Sequence, residues 1–163
     1  MKNNRFKFRA WDEGNKIMHY DFQFIKDWNN GGWIVFQSDK QKLNWNTGKN
    51  FNFTVNVYPN PYFAEQLKIM QCTGLKDKNG KLIYESDIVR YAKYEIDDIE
   101  PEWEYTEIVW GSNYDYPAFD LKTHNFESNG LSEIFACGWI IEVVGNKYEN
   151  LKLINSVLEA EEE

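Results

Sequence analysis

Apolar and polar residues alternate with a period of two along most of the chain, the pattern of strands with one buried face. Phe6 and Phe8 alternate with Arg5, Lys7 and Arg9; Asp12-Glu-Gly-Asn15 reads as a hairpin turn; Met18, Tyr20, Phe22 and Phe24 alternate with His19, Asp21 and Gln23. A second turn at 29–32 precedes the apolar run Trp33 to Phe36, and Phe51 to Val57 is apolar at every odd position. Pro59 and Pro61 cannot donate to a ladder and mark a boundary near residue 60, after which Tyr62 to Lys68 reads as a helical turn or a loop. Ile69 to Thr73 and Leu82 to Tyr84 flank Lys76-Asp-Lys-Asn-Gly80, whose Asn-Gly pair is a tight-turn signal. Four more strands are expected at Ile88 to Tyr94, Tyr105 to Trp110, Ala118 to Lys122 and Trp139 to Val144. The last is apolar on both faces and is therefore expected to be central. Leu151, Ile154 and Leu158 recur at helical spacing, with Asn146 (Glu149 three residues on) or Asn150 as the N-cap.

Composition agrees with strands. The 163 residues include 7 Trp, 10 Tyr and 11 Phe, 28 rings in all, and aromatic residues fit pleated, half-buried surfaces. The length is that of one domain with a small elaboration. The fold class expected is mainly β, α+β with a minor helix. No apolar run approaches the ~18 residues of a membrane span, and the opening Met1 to Lys7 has no apolar core of a secretory signal, so the expected address is cytoplasmic and no membrane partner is expected.

Charge is unevenly placed. The formal net charge is −8, but residues 1–90 carry 14 Lys/Arg against 9 Asp/Glu and residues 91–163 carry 4 against 17. Glu95 to Glu107 holds seven acids and no base. That balance argues against generic phosphate-backbone binding while leaving room for a local basic patch. Cys72 and Cys137 are the only cysteines and are expected as buried reduced thiols; His19 and His124 are too scattered for a zinc site. No metal and no cofactor is expected.

Three stretches carry a resemblance. Lys7-Phe-Arg-Ala-Trp-Asp12, Thr73-Gly-Leu-Lys-Asp-Lys-Asn-Gly-Lys-Leu-Ile-Tyr-Glu-Ser-Asp-Ile-Val89 and Glu142-Val-Val-Gly-Asn-Lys-Tyr-Glu-Asn150 stand in that order, and the chain they span resembles the YopX family of phage and prophage proteins. The resemblance implies an SH3-like β-barrel in a bacterial host cytoplasm and implies no catalytic residues, since the family has no established biochemical function. It divides the chain into an N-terminal β-rich part (1–68), a barrel part (69–148) and a C-terminal helix with an acidic tail (149–163), all one YopX-like unit. Strands within Ile83 to Asn146 have the size of such a barrel, with Glu95 to Glu107 as the loop between its first two strands. Relatives commonly have glycine where this chain has Ser86, so a positive φ there carries a Cβ penalty. Leu151 replaces a proline that often opens the final helix, which blurs the helix start.

Four constellations are candidates for chemistry. Asp77-Lys-Asn-Gly80 resembles a calcium loop, but aligning Gly80 with the loop glycine puts Leu75 at the first ligand position and Ser86 at the twelfth, so the turn reading stands. Glu85 and Asp87, two apart, would share one face of an extended strand and offer a carboxylate pair; no nucleophile, metal or phosphate-loop motif accompanies them. Arg5, Lys7 and Arg9 form a basic stripe and Lys76, Lys78 and Lys81 a basic turn, together the candidate for nucleic-acid binding by charge and stacking. Glu100, Glu102 and Glu104 alternate with Trp103 and Tyr105, an acidic strip with two aromatic anchors suited to a basic host protein or to local nucleic-acid mimicry. The surplus of rings also suits a homo-oligomer. The expected activity is non-enzymatic: an accessory protein that binds an unknown phage or host macromolecule.

Overall fold

The computed structural model describes residues 7–20, 22–27, 31–36, 67–93, 101–111, 117–126 and 128–150. Arg5, Glu100, the expected strand Phe51 to Val57, the proline boundary and the expected C-terminal helix lie outside the described residues. The elements are β1 (Phe8–Asp12), β2 (Ile17–Tyr20), β3 (Phe22–Asp27), β4 (Gly31–Phe36), β5 (Leu67–Lys76), β6 (Leu82–Tyr84), β7 (Asp87–Ala92), β8 (Glu104–Trp110), β9 (Phe119–Leu121), α1 (Gly130–Ala136) and β10 (Ile140–Asn146). The architecture is mainly β with one short helix among the described residues, as the period-two pattern predicts. Two compact units divide the chain, Lys7–Met70 and the part from Gln71 onward.

In the first unit, β1 and β2 form an antiparallel hairpin with Trp11 opposite Met18 and Asp12 opposite Ile17. Its turn is set by Asp12, whose carboxylate accepts the backbone N–H of Asn15 at 3.0 Å and its side-chain amide at 2.7 Å, the local bonding that makes Asp a turn former. β5 is the other neighbour of β1. The alternating run Met18 to Phe24 is two strands: β2 pairs with β1, while β3 pairs antiparallel with β4, Phe22 opposite Phe36. β1 is five residues long, so the run outgrows its first partner and continues against a second.

In the second unit, β5 pairs with β6, and the sheet β10-β7-β8-β9 curls as a half-barrel. Strand alternation sorts β7, β8 and β10 into two faces. Val89, Tyr91, Ile108, Ile141 and Val143 turn inward, where Ile83, Leu121 and the α1 residues Leu131 and Ile134 complete a buried core. Helix α1 went unread in the sequence, although its signals are present. The Asn129 side chain caps the first turn by accepting the N–H of Ser132 at 2.7 Å. Gly138, at φ +69, follows the last turn, and the N–H of Trp139 closes onto the carbonyl of Ile134 at 2.9 Å. Gly130 is required by space, because a Cβ there would lie 2.6 Å from His124 Nδ1.

Strand β10 is an end strand among the described strands, which corrects the expectation that it is central. Its burial alternates, with Ile141 and Val143 in the core and Ile140, Glu142 and Val144 half-buried, and its outer edge is closed by the β5–β6 turn. Lys78 N–H donates to the Ile141 carbonyl at 2.9 Å, and Val143 N–H donates to Asp77 Oδ2 at 3.1 Å. The opposite end is closed similarly: Asn129 Nδ2 donates to the Phe119 carbonyl at 2.9 Å, and Leu131 N–H donates to Asp120 Oδ1 at 3.0 Å. Side chains thus blunt both ends of the sheet, where unpaired backbone would otherwise invite another strand. Asn146 organises the turn that follows β10: its Oδ1 accepts the N–H groups of Tyr148 and Glu149, each at 3.0 Å, while the helix for which Asn146 or Asn150 was the expected cap lies outside the described residues. Among the described residues no helix is long and apolar enough to cross a membrane.

Candidate contact surface on the outer face of the sheet

The long signature around Asp77 and Asp87 uses its carboxylates for architecture. Asp77, 6% exposed, accepts Asn79 N–H at 2.9 Å and Lys81 N–H at 2.8 Å on Oδ1 while Oδ2 reaches β10. Gly80 supplies the positive φ, +80°, that the turn needs. Asp87 is buried and its Oδ2 accepts Tyr84 N–H at 2.8 Å. Glu85 and Asp87 do not share a strand face, as the sequence suggested, because residues 85 and 86 form the turn between β6 and β7. Ser86 adopts φ +62°, a left-handed conformation that carries a Cβ penalty, and it ties the turn to its neighbours: its N–H donates to the Ile108 carbonyl at 2.8 Å and its carbonyl accepts Lys147 N–H at 2.9 Å.

The outward positions of the sheet carry different chemistry. Glu142 of β10 is directly opposite Arg90 of β7, which is directly opposite Tyr105 of β8. Glu142 Oε2 accepts from Arg90 Nη2 at 2.6 Å and Nε at 2.9 Å, and Lys78 Nζ lies 3.4 Å from the same oxygen. Asn79 Nδ2 donates to the other oxygen at 3.2 Å. Trp103 precedes β8 and covers this cluster: the Arg90 guanidinium is 4.3 Å and Lys78 Nζ 5.1 Å from its ring centre. The Arg90 hydrogen bonds hold the Glu142 carboxyl below its ordinary range, with Lys78 adding to the effect. Tyr105 stands beside Arg90, 40% exposed.

The structure therefore joins halves of two separate sequence candidates. Lys78, from the basic turn, and Trp103 and Tyr105, from the acidic strip, meet around Arg90 and Glu142. The strip itself does not present acids and rings on one surface. Glu104 is opposite Tyr91 and accepts its hydroxyl at 2.5 Å, on the face opposite to Tyr105. Burial, reinforced by Glu104, pushes the Tyr91 hydroxyl well above its ordinary value. Glu102 is exposed. The basic stripe does not form as expected at Arg9, which is 2% exposed with Nε on Met70 Sδ at 3.4 Å; Lys7 is half-buried, and Lys76 and Lys81 are exposed on or beside the turn. Cys72 is buried, but Cys137 is exposed, because it is the C-cap residue of α1, whose core contacts come from Leu131 and Ile134.

Sequence reasoning missed Arg90 and Glu142. Their signal was a single charge within each of two apolar runs, Ile88 to Tyr91 and Ile140 to Val144, but only the register shows that the two meet. It also missed a cleft of about 380 Å³ at the far end of the core, lined by Thr73, Leu75, Phe119, Asn129, Ser132 and a half-exposed Trp110. Trp110 and Phe119 pack edge to face at 4.8 Å there. None of the residues lining the cleft is ionisable. Among the described residues no group of His, Cys, Asp and Glu side chains is placed to hold a metal ion.

Fold and surface together define a small mainly-β protein built on a curled sheet whose edges are closed by side chains. A model of the YopX protein family matches residues 7–155, and the chain belongs to that family. It is similar to the crystal structure of protein EF1440 from Enterococcus faecalis, with 25% identity and a TM-score of 0.53 over 90% of this chain and 96% of that one. It shares the fold of protein yopX from Bacillus subtilis, at 18% identity and a TM-score of 0.52 over 91% of this chain and 95% of that one. Comparison with curated proteins gives no match.

Proposed function

We propose that this protein is a non-enzymatic phage or prophage accessory protein that acts by binding another macromolecule through the outer face around Trp103, Arg90 and Tyr105. The observation that carries this reading is the composition of that face. Trp, Tyr and Arg are the residue types that dominate binding hot spots, and here Arg90 lies against the Trp103 ring and opposite Tyr105 with Glu142 fixing its guanidinium. A preorganised anchor loses little side-chain freedom on association. The Asp77 and Asp87 carboxylates of the long signature are engaged by backbone amides, which supports architecture over acid–base chemistry.

A protein partner is favoured over a phosphate backbone because Glu142 already offsets one of the two cations, Arg90 and Lys78. Exposed Glu102 further suits a partner with basic groups. Affinity capture from host lysate with the wild-type chain and with Trp103→Ala/Tyr105→Ala is the direct test. The expected result is a specific protein retained by the wild type and lost from the variant, with circular dichroism unchanged. Identical retained sets would overturn the reading.

A second reading, single-stranded nucleic acid, is supported by the Lys78 ammonium over the Trp103 ring, a combination of charge and stacking platform. Fluorescence anisotropy with labelled single strands at low salt tests it. Binding that weakens with salt and with Lys78→Ala sustains it, and no binding at low salt excludes it.

A further inference from the structure

The outer edge of β10 is closed by a turn and one carboxylate, with no strand contributing there among the described residues. Ile141 C=O and Val143 N–H both point away from β7, since they bond to Lys78 N–H and to Asp77 Oδ2. Ile140-Ile-Glu-Val-Val144 is β-branched at every position but the central glutamate, a composition with high strand propensity. An edge of that kind is a template for pairing once its cover is removed.

We propose that the β10 edge is a strand-addition surface held shut by the Asp77–Lys81 turn, and that the partner it fits is β10 of a second copy, paired antiparallel. In an antiparallel pair centred on Glu142, Ile141 of one copy faces Val143 of the other. The outward N–H and C=O groups of these residues then exchange the closely spaced bonds of such a ladder. Two Glu142 side chains meet at the centre, and like charges there would disfavour pairing. Arg90 removes that objection, because it remains on β7 and holds Glu142 through two N–H bonds whether or not Lys78 is present. The turn is a suitable cover: Asp77 organises the turn with one oxygen and closes the edge with the other, so one side chain couples turn conformation to edge access.

Light scattering after size-exclusion chromatography on wild type, Asp77→Ala and Asp77→Asn tests the proposal. Hydrogen exchange at the Val143 amide is followed in parallel. Asp77→Ala is expected to double the mass relative to wild type, with Val143 protected at high concentration and exchanging faster on dilution. Adding Val143→Pro removes the outward N–H together with part of the core packing of Val143, and in the folded protein it is expected to return the mass to the wild-type value. An Asp77→Ala protein that is folded, has the wild-type mass and exchanges Val143 freely overturns the proposal, as does a dimer that survives Val143→Pro. If Asp77→Ala does not fold, Asp77→Asn decides the matter, since it keeps one carbonyl acceptor; a concentration-dependent rise in mass supports the edge and an unchanged mass refutes it.

Discussion

The two faces of the curled sheet are made by the same strands and obey different rules. On β7, Val89 and Tyr91 turn inward and Arg90 outward; on β10, Ile141 and Val143 turn inward and Glu142 outward. Inward positions interdigitate with Leu121, Leu131 and Ile134 and are defined by shape. Outward positions are linked by charge, from Glu142 through Arg90 to Tyr105, with Trp103 as their cover. A one-residue slip of β7 would exchange the two sets, so whatever fixes its register protects both the core and the contact surface.

The inner face is where substitution costs most. Ile108 is fully buried within the core cluster, and Ile108→Ala is expected to lose about 3 kcal/mol of stability through lost transfer energy and a residual cavity. Chemical denaturation, with a lowered midpoint and an unchanged slope, checks this. A loss under ~1 kcal/mol would mean that the inner face is not the stabilising one.

That contrast also explains what the sequence disclosed. Local patterns, alternation or an unbroken apolar run, marked β7, β8, β9 and β10 to within a few residues. The Asn79-Gly80 turn was equally local and equally legible, whereas the strained position at Ser86 was expected only through the family resemblance. The end position of β10 was not legible, because what closes its outer edge is Asp77, 66 residues away in sequence. The outer cluster was hidden for the same reason: Lys78, Trp103 and Tyr105 belonged to two separate candidates, and Arg90 and Glu142, which join them, are single charges within apolar runs on two other strands. Helix α1 was missed for lack of length rather than of signal, since seven residues hold only two core positions at helical spacing, Leu131 and Ile134.

The turn that fixes the β7 register offers a gain in place of a loss. Ser86 occupies the left-handed region at φ +62°, which costs a residue with a Cβ roughly 1–2 kcal/mol. Ser86→Gly is expected to stabilise the fold by about 0.5–1 kcal/mol after the extra backbone entropy of glycine is subtracted. A raised thermal midpoint is the readout. A drop would show that the serine side chain contributes a bond that outweighs its strain.

The outer ion pairs respond to pH. Glu142 titrates below its ordinary value of 4.5 because Arg90 bonds favour the carboxylate. A depressed carboxyl contributes stability that is fully present above the unfolded-state value and is lost as pH falls through the folded-state value. Glu142→Gln is therefore expected to flatten part of the acid limb of the stability profile below about pH 4.5. Near neutrality the same change should cost only about 0.5 kcal/mol, the scale of solvent-accessible pairs. Equal acid limbs for wild type and variant would place the linkage elsewhere.

The smallest change in stability is expected at the residue that matters most for contact. Trp103 is half-buried and lies over Arg90 and Lys78 without entering the core cluster. Cation–π contacts at accessible sites contribute on the order of 0.5 kcal/mol, so Trp103→Ala should unfold close to wild type. If the outer face exists for association, that same variant loses partner capture while Ile108→Ala, folded at low temperature, retains it. The dissociation of the two readouts is the point of the comparison. A Trp103→Ala protein as unstable as Ile108→Ala would make the indole a structural cover for the ion pairs, and the outer face would then be an extension of the scaffold.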